Sequence, residues 1–262
     1  WVLVYGDTNS TLAGAIAAVK QGLRTAHVEA GLRSWNRSMP EEINRVLTDD
    51  AADLLFAPTD RSFANLRAEG LADRTHMVGD VMADLLLQVK EHPTVIPLPD
   101  LAGIENGYVA ATIHRASNTD DENQLRVLIS ALQSLDLPVV LVAHPRLLAA
   151  AKHFGLVLER GNIRITKPLG YVAMMSLVAG ARGLVTDSGG LQKESFLLGV
   201  PCTTIRLETE WPETLIGGMN VLDPKAERLA ELATRHVTPT SDQPYGDGRA
   251  AHRIAEILCG AD

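Results

Sequence analysis

Short aliphatic runs alternate with amphipathic stretches from the first residues of the chain onward. The runs have the length of β-strands, and the stretches have the period of helices, which together predict parallel α/β units. In the first part of the chain, strands are predicted at 2–5, 25–28, 53–57 and 76–78, and helices at 8–21, 41–50, 60–69 and 82–91.

The alternation breaks at residues 93–107, which contain three prolines and two glycines and are therefore predicted to be a linker. A second series follows, with strands predicted at 109–113, 139–143, 163–166, 184–186 and 203–205. We therefore expect two doubly wound, Rossmann-like domains, 1–92 and 108–240, that face each other across a cleft. The first domain begins inside the pattern, so we expect its opening strand–helix units to be absent.

Composition narrows the class of protein. The chain has 262 residues, which is enough for two domains. Its net charge of -8 argues against a nucleic-acid surface, which would need a basic face. The sequence contains no run of about 18 apolar residues, so no membrane span is predicted. Cys202 and Cys259 have neither disulfide-framework nor metal-site spacing, which favours a reducing, cytoplasmic compartment.

Residues 186–195 read Thr-Asp-Ser-Gly-Gly-Leu-Gln-Lys-Glu-Ser, between an apolar run and a helical pattern. Ser188, Gly189 and Gly190 are thus predicted at a strand-to-helix turn, where backbone N–H groups and the helix dipole attract a phosphate. Glu194 lies one helical turn further on, placed to accept hydrogen bonds from sugar hydroxyls. The alternative is a Gly-rich connection in which Ser188 only caps the helix.

Three acids follow elements of the first domain. Asp7 comes after the first strand, Glu29 after the second, and Glu41 at a helix start marked by Pro40. Each has a structural alternative: Asp7 as a helix cap, Glu41 as a favourable charge at a helix start, and Glu29 with His27 as a metal pair on one strand face. No third metal-ligand motif lies nearby, so we expect no metal and group the three acids at one rim.

Basic and polar residues end strands of the second domain. His114 and Arg115 follow the strand at 109–113, and Arg206 and Thr209 follow the strand at 203–205. A single histidine at a strand end is more often structural, but His114 with Arg115 would face Ser188 and suit a diphosphate. Arg206 and Thr209 could extend the same pocket.

Neither a Gly-x-Gly-x-x-Gly dinucleotide turn nor a Walker phosphate loop is present, so neither hydride transfer nor ATP-driven chemistry is indicated. A diphosphate site and a group of carboxylates remain. Neighbouring carboxylates do not all ionise freely, so one can act as acid and another as base. This combination suits removal of a proton from a sugar carbon, coupled to loss of a nucleoside diphosphate.

Seven segments carry a family resemblance: Gly-Asp-Thr at 6–8, His-Val-Glu-Ala-Gly-Leu-Arg-Ser at 27–34, Met-Pro-Glu-Glu-Ile-Asn-Arg at 39–45, Ile-His-Arg at 113–115, Asp-Ser-Gly-Gly-Leu-Gln-Lys-Glu at 187–194, Glu-Thr-Glu-Trp-Pro-Glu at 208–213 and Tyr-Gly-Asp-Gly at 245–248. In this order they resemble the non-hydrolysing UDP-N-acetylglucosamine 2-epimerases over essentially the whole chain.

The resemblance implies a fold like that of the B-type glycosyltransferases, with a last helix in 241–262 that crosses back to the first domain. It implies interconversion of UDP-N-acetylglucosamine and UDP-N-acetylmannosamine through loss of UDP, reprotonation at C2 and re-addition, without a cofactor, in a homodimer. The residue roles it implies are acid/base catalysis by Asp7, Glu29 and Glu41, a functional His114, phosphate binding by Ser188, Gly189 and Gly190, ribose binding by Glu194, and further UDP contacts from Arg115, Arg206 and Thr209.

Several alternatives stay open. Trp211 stands where many bacterial members have Arg, which resembles a branch with archaeal members and epimerases of diacetamido uronic acid nucleotides. Hydrolysing relatives release the free sugar and UDP. A glycosyltransferase would use the same diphosphate site without needing three acids, and a nucleotide-sugar binding module would need no catalysis.

Overall fold

The computed structural model describes residues 1–91, 104, 107–239 and 242–260. The chain divides into two compact units: unit 1 is Trp1–Glu91 with Asp242–Asp262, and unit 2 is His92–Ser241. The predicted linker, 93–107, lies outside the described residues except at 104 and 107. Within the described ranges, no helix combines the length and apolar character needed to cross a bilayer.

All strand pairs in the two sheets are parallel. Each strand that the apolar pattern predicts is confirmed to within one residue at either end, and β10 is a further strand that the pattern missed. The strands are β1 (Val2–Tyr5), β2 (Thr25–Val28), β3 (Leu54–Ala57), β4 (Thr75–Met77), β5 (Val109–Thr112), β6 (Val139–Val142), β7 (Ile163–Thr166), β8 (Gly183–Thr186), β9 (Cys202–Thr204) and β10 (Asn220–Leu222).

Helices connect the strands, as expected for α/β units. The α-helices are α1 (Asn9–Lys20), α2 (Pro40–Ala51), α3 (Asp60–Ala68), α4 (Val81–Glu91), α5 (Ala116–Thr119), α6 (Glu122–Gln133), α7 (Pro145–His153), α8 (Tyr171–Ala179), α9 (Gly189–Leu198), α10 (Leu229–Leu232) and α11 (Ala250–Gly260). Two 3-10 segments, Ala72–Arg74 and Pro212–Gly218, complete the described regular structure.

The sheet of unit 1 has the order β1-β2-β3-β4 and is covered on both faces. Side chains alternate between the faces of a strand. Val28 and Phe56 pack against Ile254 of α11 on one face, while Leu55 and Ala57 pack with Leu66 of α3 on the other. Such two-sided burial explains the uninterrupted apolar runs in the sequence.

The C-terminal helix α11 is fixed to unit 1 by a side chain from α4. The carboxylate of Asp84 accepts hydrogen bonds from the backbone N–H groups of Ala250 at 3.0 Å and Ala251 at 2.8 Å. The backbone N–H of Asp80 also donates to the carbonyl of Tyr245 at 2.9 Å. The first turn of α11 is therefore capped from a distant part of the chain.

The sheet of unit 2 has the order β10-β9-β8-β5-β6-β7, which is the strand order of the Rossmann fold. The order reverses between β5 and β8, which pair directly, with Thr112 opposite Thr186. Ligands of such sheets bind outside the carboxyl ends of the strands at this switch point. The residues that follow β5 and β8 are therefore the expected ligand-binding residues of unit 2.

Helix α2 buries its charged face. Glu42, Arg45 and Asp49 are 3%, 1% and 0% exposed, whereas Ile43 and Leu47 on the opposite face are 40% and 47% exposed. Buried ions need partners, because an unpaired ion away from water is very costly. The inner face of α2 therefore has to be matched by charged groups of neighbouring elements.

Candidate functional site

The turn between β8 and α9 has the geometry of an anion site. Gly189 and Gly190 are the first residues of α9, and the side chain of Ser188 at the N-cap makes no capping hydrogen bond. The first N–H groups of a helix lack partners within the helix, and no acidic residue occupies this first turn. A Cβ at Gly190 would meet nothing within 4 Å, so the turn is open on that side. A phosphate would fit this turn well.

The loop after β9 packs against this turn. A Cβ at Gly189 would collide with Oε1 of Glu210, whose carboxylate forms a buried ion pair with Arg206 at 2.7 Å. The hydroxyl of Thr209 donates to Oε1 of Gln192 on α9 at 2.7 Å. Thr209 thus attaches this loop to α9, while Arg206 holds Glu210 within the loop, and direct contact of Arg206 or Thr209 with a nucleotide stays a prediction.

Glu194 also lies on α9, where it is 6% exposed. Its position one helical turn after Gly190 agrees with the geometry assumed from the sequence. Its contact with a ribose likewise stays a prediction.

His114 and Arg115 meet Asp187 at the switch point of unit 2. The buried carboxylate of Asp187 accepts hydrogen bonds from the backbone N–H groups of His114 at 3.0 Å and Arg115 at 2.8 Å, and from Nδ2 of Asn118 at 3.0 Å. Its Oδ1 also lies 3.0 Å from Nδ1 of His114. The Arg115 guanidinium makes no hydrogen bond or ion pair with a described residue, so it is available to an anion.

Asp7 is oriented by α2. Arg45 donates from Nε at 3.0 Å and from Nη2 at 2.6 Å to one oxygen of Asp7, Oδ2. Asn44 donates to the backbone carbonyl of Asp7 at 2.9 Å. The N-cap of α1 is Thr8, whose side chain accepts from the N–H of Thr11, so Asp7 is not the cap that the alternative interpretation assumed.

Glu29 adopts a left-handed backbone conformation directly after β2, with φ of +74°. This conformation costs a non-glycine residue about 1–2 kcal/mol, and such strain in proteins is concentrated at functional positions. A Cβ on Gly6 would lie 3.8 Å from Oε2 of Glu29, so this carboxylate borders the turn that carries Asp7.

Glu41 completes the group of acids. It lies in the first turn of α2 and is partly exposed, and its carboxylate makes no hydrogen bond or ion pair within the described residues. Residues four apart on a helix are neighbours, so Glu41 lies beside Arg45, which contacts Asp7. The structure thus groups Asp7, Glu29 and Glu41 at the ends of β1 and β2 and the start of α2.

A buried imidazole supports the Gly6–Asp7 turn from behind. Nδ1 of His27 lies 2.6 Å from Oδ1 of Asp49, and Nε2 lies 2.8 Å from the carbonyl oxygen of Gly6. Both ring nitrogens face acceptors, which is the arrangement of a doubly protonated ring. Although burial opposes the charge, the hydrogen bond and the charge of Asp49 raise the pKa of His27 above its ordinary value.

This arrangement bears on the metal alternative for His27 and Glu29. Both ring nitrogens of His27 are engaged, which leaves neither of them for a metal ion. In the part of the chain that the structure describes, no three His, Cys, Asp or Glu side chains are grouped as a metal site requires.

Glu42 joins the loop after Glu29 to the start of α2. Its carboxylate accepts from the backbone N–H groups of Ser34 at 2.8 Å and Trp35 at 3.0 Å, and from Nη1 of Arg45 at 2.9 Å. Burial alone would raise the pKa of Glu42, but these backbone hydrogen bonds lower it. Arg45 therefore bridges two carboxylates, Glu42 inside the protein and Asp7 at the rim.

The supporting residues were missed in the sequence, although a signal for them is present. Glu42, Arg45 and Asp49 are spaced by three and four residues, so they lie on one helix face. The adjacent apolar residues suggest that the opposite face is buried. The charged face is buried instead, because Asp7 after β1 and His27 near the end of β2 supply the partners that its charges need.

Comparison with known proteins places the chain in a family. Residues 1–259 match the family model described as UDP-N-acetylglucosamine 2-epimerase. The chain is 45% identical to UDP-2,3-diacetamido-2,3-dideoxy-D-glucuronate 2-epimerase of Pseudomonas aeruginosa, covering 98% of this chain and 74% of that protein. It is 38% identical to UDP-N-acetylglucosamine 2-epimerase of Methanococcus maripaludis, covering 99% and 75%.

A solved structure agrees with these sequence relationships. The crystal structure of Methanocaldococcus jannaschii UDP-GlcNAc 2-epimerase in complex with UDP-GlcNAc and UDP is 37% identical and has a TM-score of 0.89, covering 99% of this chain and 75% of that one. The predicted fold class, two parallel α/β units of the kind found in B-type glycosyltransferases, is confirmed. With an ordered set of motifs, a fold and a family model in agreement over nearly its whole length, this chain belongs to the UDP-N-acetylglucosamine 2-epimerase family.

Proposed function

We propose that the protein epimerises a UDP-2-acetamido sugar at C2 by eliminating UDP and adding it back. The observation that carries the proposal is the group of three carboxylates, Asp7, Glu29 and Glu41, in a chain of this family, with Asp7 held by the buried Arg45. A glycosyltransferase has no need of three such acids, and a binding module has no need to orient them.

Unit 2 binds the UDP part of the substrate in this proposal. The N–H groups at Ser188, Gly189 and Gly190 hold the diphosphate, because a helix N-terminus stabilises negative charge. Arg115 adds a cation that has no partner among the described residues. Glu194 accepts hydrogen bonds from the ribose hydroxyls, and Arg206 and Thr209 shape the pocket through the loop after β9, which Thr209 attaches to α9.

Unit 1 moves the proton at C2. One carboxylate removes the C2 proton, and the electrons of the C–H bond form a double bond between C1 and C2. The C1–O bond breaks, and its electron pair leaves with the diphosphate. A second carboxylic acid then returns a proton to C2 from the other face, and the diphosphate adds back to C1. Two carboxyl groups with different environments suit these opposite roles.

His114 assists the departure of UDP. Its ring is about one-third exposed at the switch point, next to the turn that holds the phosphates. A hydrogen bond from the ring to the departing oxygen stabilises the charge that develops as the C1–O bond breaks.

The substrate is UDP-N-acetylglucosamine or its diacetamido uronic acid counterpart. Relatives named for both substrates resemble the chain, at 38% and 45% identity. UDP-N-acetylglucosamine remains our first choice, with UDP-N-acetylmannosamine as product. Hydrolysis to free N-acetylmannosamine and UDP is the other outcome for the same carboxylates.

Proton NMR in D2O tests the reaction. The protein is incubated separately with each UDP sugar. We expect deuterium at C2 together with the C2 epimer, because the removed proton exchanges with solvent. Accumulation of free sugar and UDP would instead identify a hydrolysing enzyme. If UDP binds but neither sugar exchanges its C2 proton, the proposed reaction is wrong.

Variants assign the carboxylates. Asp7→Asn and Glu41→Gln should abolish turnover while UDP still binds by calorimetry, because both residues are in unit 1 and the diphosphate turn is in unit 2. Asp50→Asn, an exposed change on the same helix as Glu41, is the control and should retain activity. Wild-type turnover in either of the first two variants would remove that residue from the mechanism.

The active protein in this proposal is a homodimer. Ile43, Val46 and Leu47 form an exposed apolar stripe on α2, and such a stripe on a helix is normally covered. Light scattering should give the mass of two chains. Leu47→Asp should shift the mass to one chain, whereas Leu148→Asp, at a similarly exposed leucine of unit 2, should not. A monomeric wild-type protein would exclude this proposal.

The remaining parts of the proposal concern the surroundings of the enzyme. Both Cys202 and Cys259 are free, and burial raises the pKa of Cys202 to about 12, which fits an inert thiol in a reducing cytoplasm. The reaction needs no redox cofactor and no metal, since every step is a proton transfer or a carbon–oxygen bond change.

A further inference from the structure

Asp187 lies directly behind His114 and has no role in the function described so far. It follows β8, and its side chain is fully buried. Four donors surround its carboxylate: the backbone N–H groups of His114 and Arg115, Nδ2 of Asn118, and Nδ1 of His114. The same amide of Asn118 also donates to the carbonyl of Ile205 at 3.1 Å, which fixes its orientation towards Asp187.

The hydrogen-bond roles in this cluster fix a proton. An ionised carboxylate only accepts hydrogen bonds, and backbone N–H groups and a side-chain amide NH2 only donate. Burial alone would raise the pKa of Asp187, but its hydrogen bond with His114, the charge of that ring and the hydrogen bond from Asn118 lower it. The carboxylate is therefore charged, and Nδ1 of His114 has to carry a proton to face it at 3.0 Å.

We infer that Asp187 is a positioning residue that locks His114 in the tautomer with its proton on Nδ1, so that Nε2 alone exchanges a proton or hydrogen bond with the substrate. This inference rests on the proposed function. It gives the ring one orientation and one reactive atom, as a buried acid does for a catalytic histidine elsewhere. When Nε2 is protonated it donates to the departing diphosphate oxygen, and when UDP adds back the same hydrogen bond is released.

A purely structural role is the competing explanation, because Asp187 also ties the ends of β5 and β8 together through backbone N–H groups. Asp187→Asn distinguishes this structural role from the positioning of His114. An amide keeps one oxygen for the N–H of Arg115 and the amide of Asn118, but it presents an NH2 donor towards Nδ1. The ring must then accept at Nδ1 and carry its proton on Nε2 instead.

The first measurement is the tautomer, which needs no substrate. Nitrogen-15 NMR of the imidazoles, with the His114 signals assigned by their loss in His114→Gln, should show a protonated Nδ1 in the wild-type protein. In Asp187→Asn the neutral ring should show its proton on Nε2. An unprotonated Nδ1 in the wild-type protein would overturn the inference, whether or not the protein is an epimerase.

The second measurement is turnover. With a UDP sugar that the wild-type protein epimerises, kcat of Asp187→Asn should fall by about 100-fold or more, the usual worth of a positioned acid or base, because the ring loses the carboxylate that stabilises it when Nδ1 and Nε2 are both protonated. KM and the Kd for UDP should stay within about threefold, because binding is not changed. A tautomer change with kcat within about threefold of wild type would also overturn the inference, and so would a fall in kcat without a tautomer change.

Asp223→Asn provides a matched control. Asp223 is another buried acid at a strand end of unit 2, and it accepts from the backbone N–H groups of Glu227 at 3.2 Å and Arg228 at 3.0 Å. No histidine faces it in these hydrogen bonds. Its kcat should remain within about threefold of wild type, and a loss as large as that of Asp187→Asn would attribute both effects to disturbed folding.

Discussion

Replacement of Arg45 by methionine tests the ion-pair cluster that supports the acids. The change removes three hydrogen bonds, two to Asp7 at 2.6 and 3.0 Å and one to Glu42 at 2.9 Å, while methionine keeps much of the side-chain volume. Arg45 is 1% exposed, so bulk water cannot replace its guanidinium as the partner of the buried Glu42 carboxylate.

The cost follows from what each partner retains. Breaking a buried pair by removing one member costs about 3–5 kcal/mol. Glu42 keeps the N–H groups of Ser34 and Trp35 and the hydroxyl of Ser34. Asp7 has a side chain that is 31% exposed and can be hydrated. We therefore expect the lower end of the range, a loss of about 3 kcal/mol in the free energy of unfolding.

Urea unfolding followed by circular dichroism measures this loss. Arg126→Met is the control, because Arg126 forms a half-exposed pair with Glu122, and such pairs contribute about 1 kcal/mol or less. Turnover of Arg45→Met should also fall by about 100-fold, since Asp7 loses its orientation. A loss of stability no larger than that of Arg126→Met, or turnover at the wild-type level, would refute the reasoning.

Three further changes probe unit 1. Gly31→Ala should cost about 2 kcal/mol more than Gly70→Ala in urea unfolding, because φ is +83° and +82° at the two sites but only at Gly31 would a Cβ strike the carbonyl of Ser62; equal costs would contradict this. His27→Gln should lower the free energy of unfolding most below about pH 6.5, and this loss should shrink as the pH rises through the raised pKa of His27. An equal loss at about pH 6 and about pH 9 would contradict this prediction. Asp84→Ala should cost about 1 kcal/mol and speed hydrogen exchange in α11 but not in α6; unchanged exchange would mean that the cap is dispensable.

Much of the fold could be predicted because buried parallel strands have a simple pattern. Strands covered on both faces are continuous apolar runs, as in β6, where all four residues are buried. The carboxyl ends of such strands lie at one edge of the sheet, so residues after them could be grouped in advance. This reasoning brought Asp7 together with Glu29, and His114 together with Ser188.

The rest depends on contacts between distant residues. β10 has only three residues, and its pairing with β9 distinguishes it from a loop. The sequence assigns no role to Asp187, since nothing nearby in the sequence indicates that it faces His114. The buried face of α2 was missed because its charges are compensated by Asp7 and His27, which lie before it in the chain.

The position of Trp211 has a physical explanation in unit 2. The ring of Trp211 lies 4.0 Å from Nζ of Lys193, which is almost fully buried on α9. An aromatic face attracts a cation through its quadrupole, and the attraction grows when water is excluded. Trp211 thus accommodates a buried lysine on the helix that starts at the phosphate turn.

Helix α2 buries its charged face and exposes its apolar face. In the proposed homodimer, this makes the rate of catalysis depend on protein concentration. The same twelve residues hold Asp7 on one side and offer Ile43, Val46 and Leu47 to a second chain on the other. A partner that binds only the folded helix stabilises it by mass action. Dilution below the dissociation constant of the dimer would then lower specific activity, and it would do so without any change in the residues that touch the substrate.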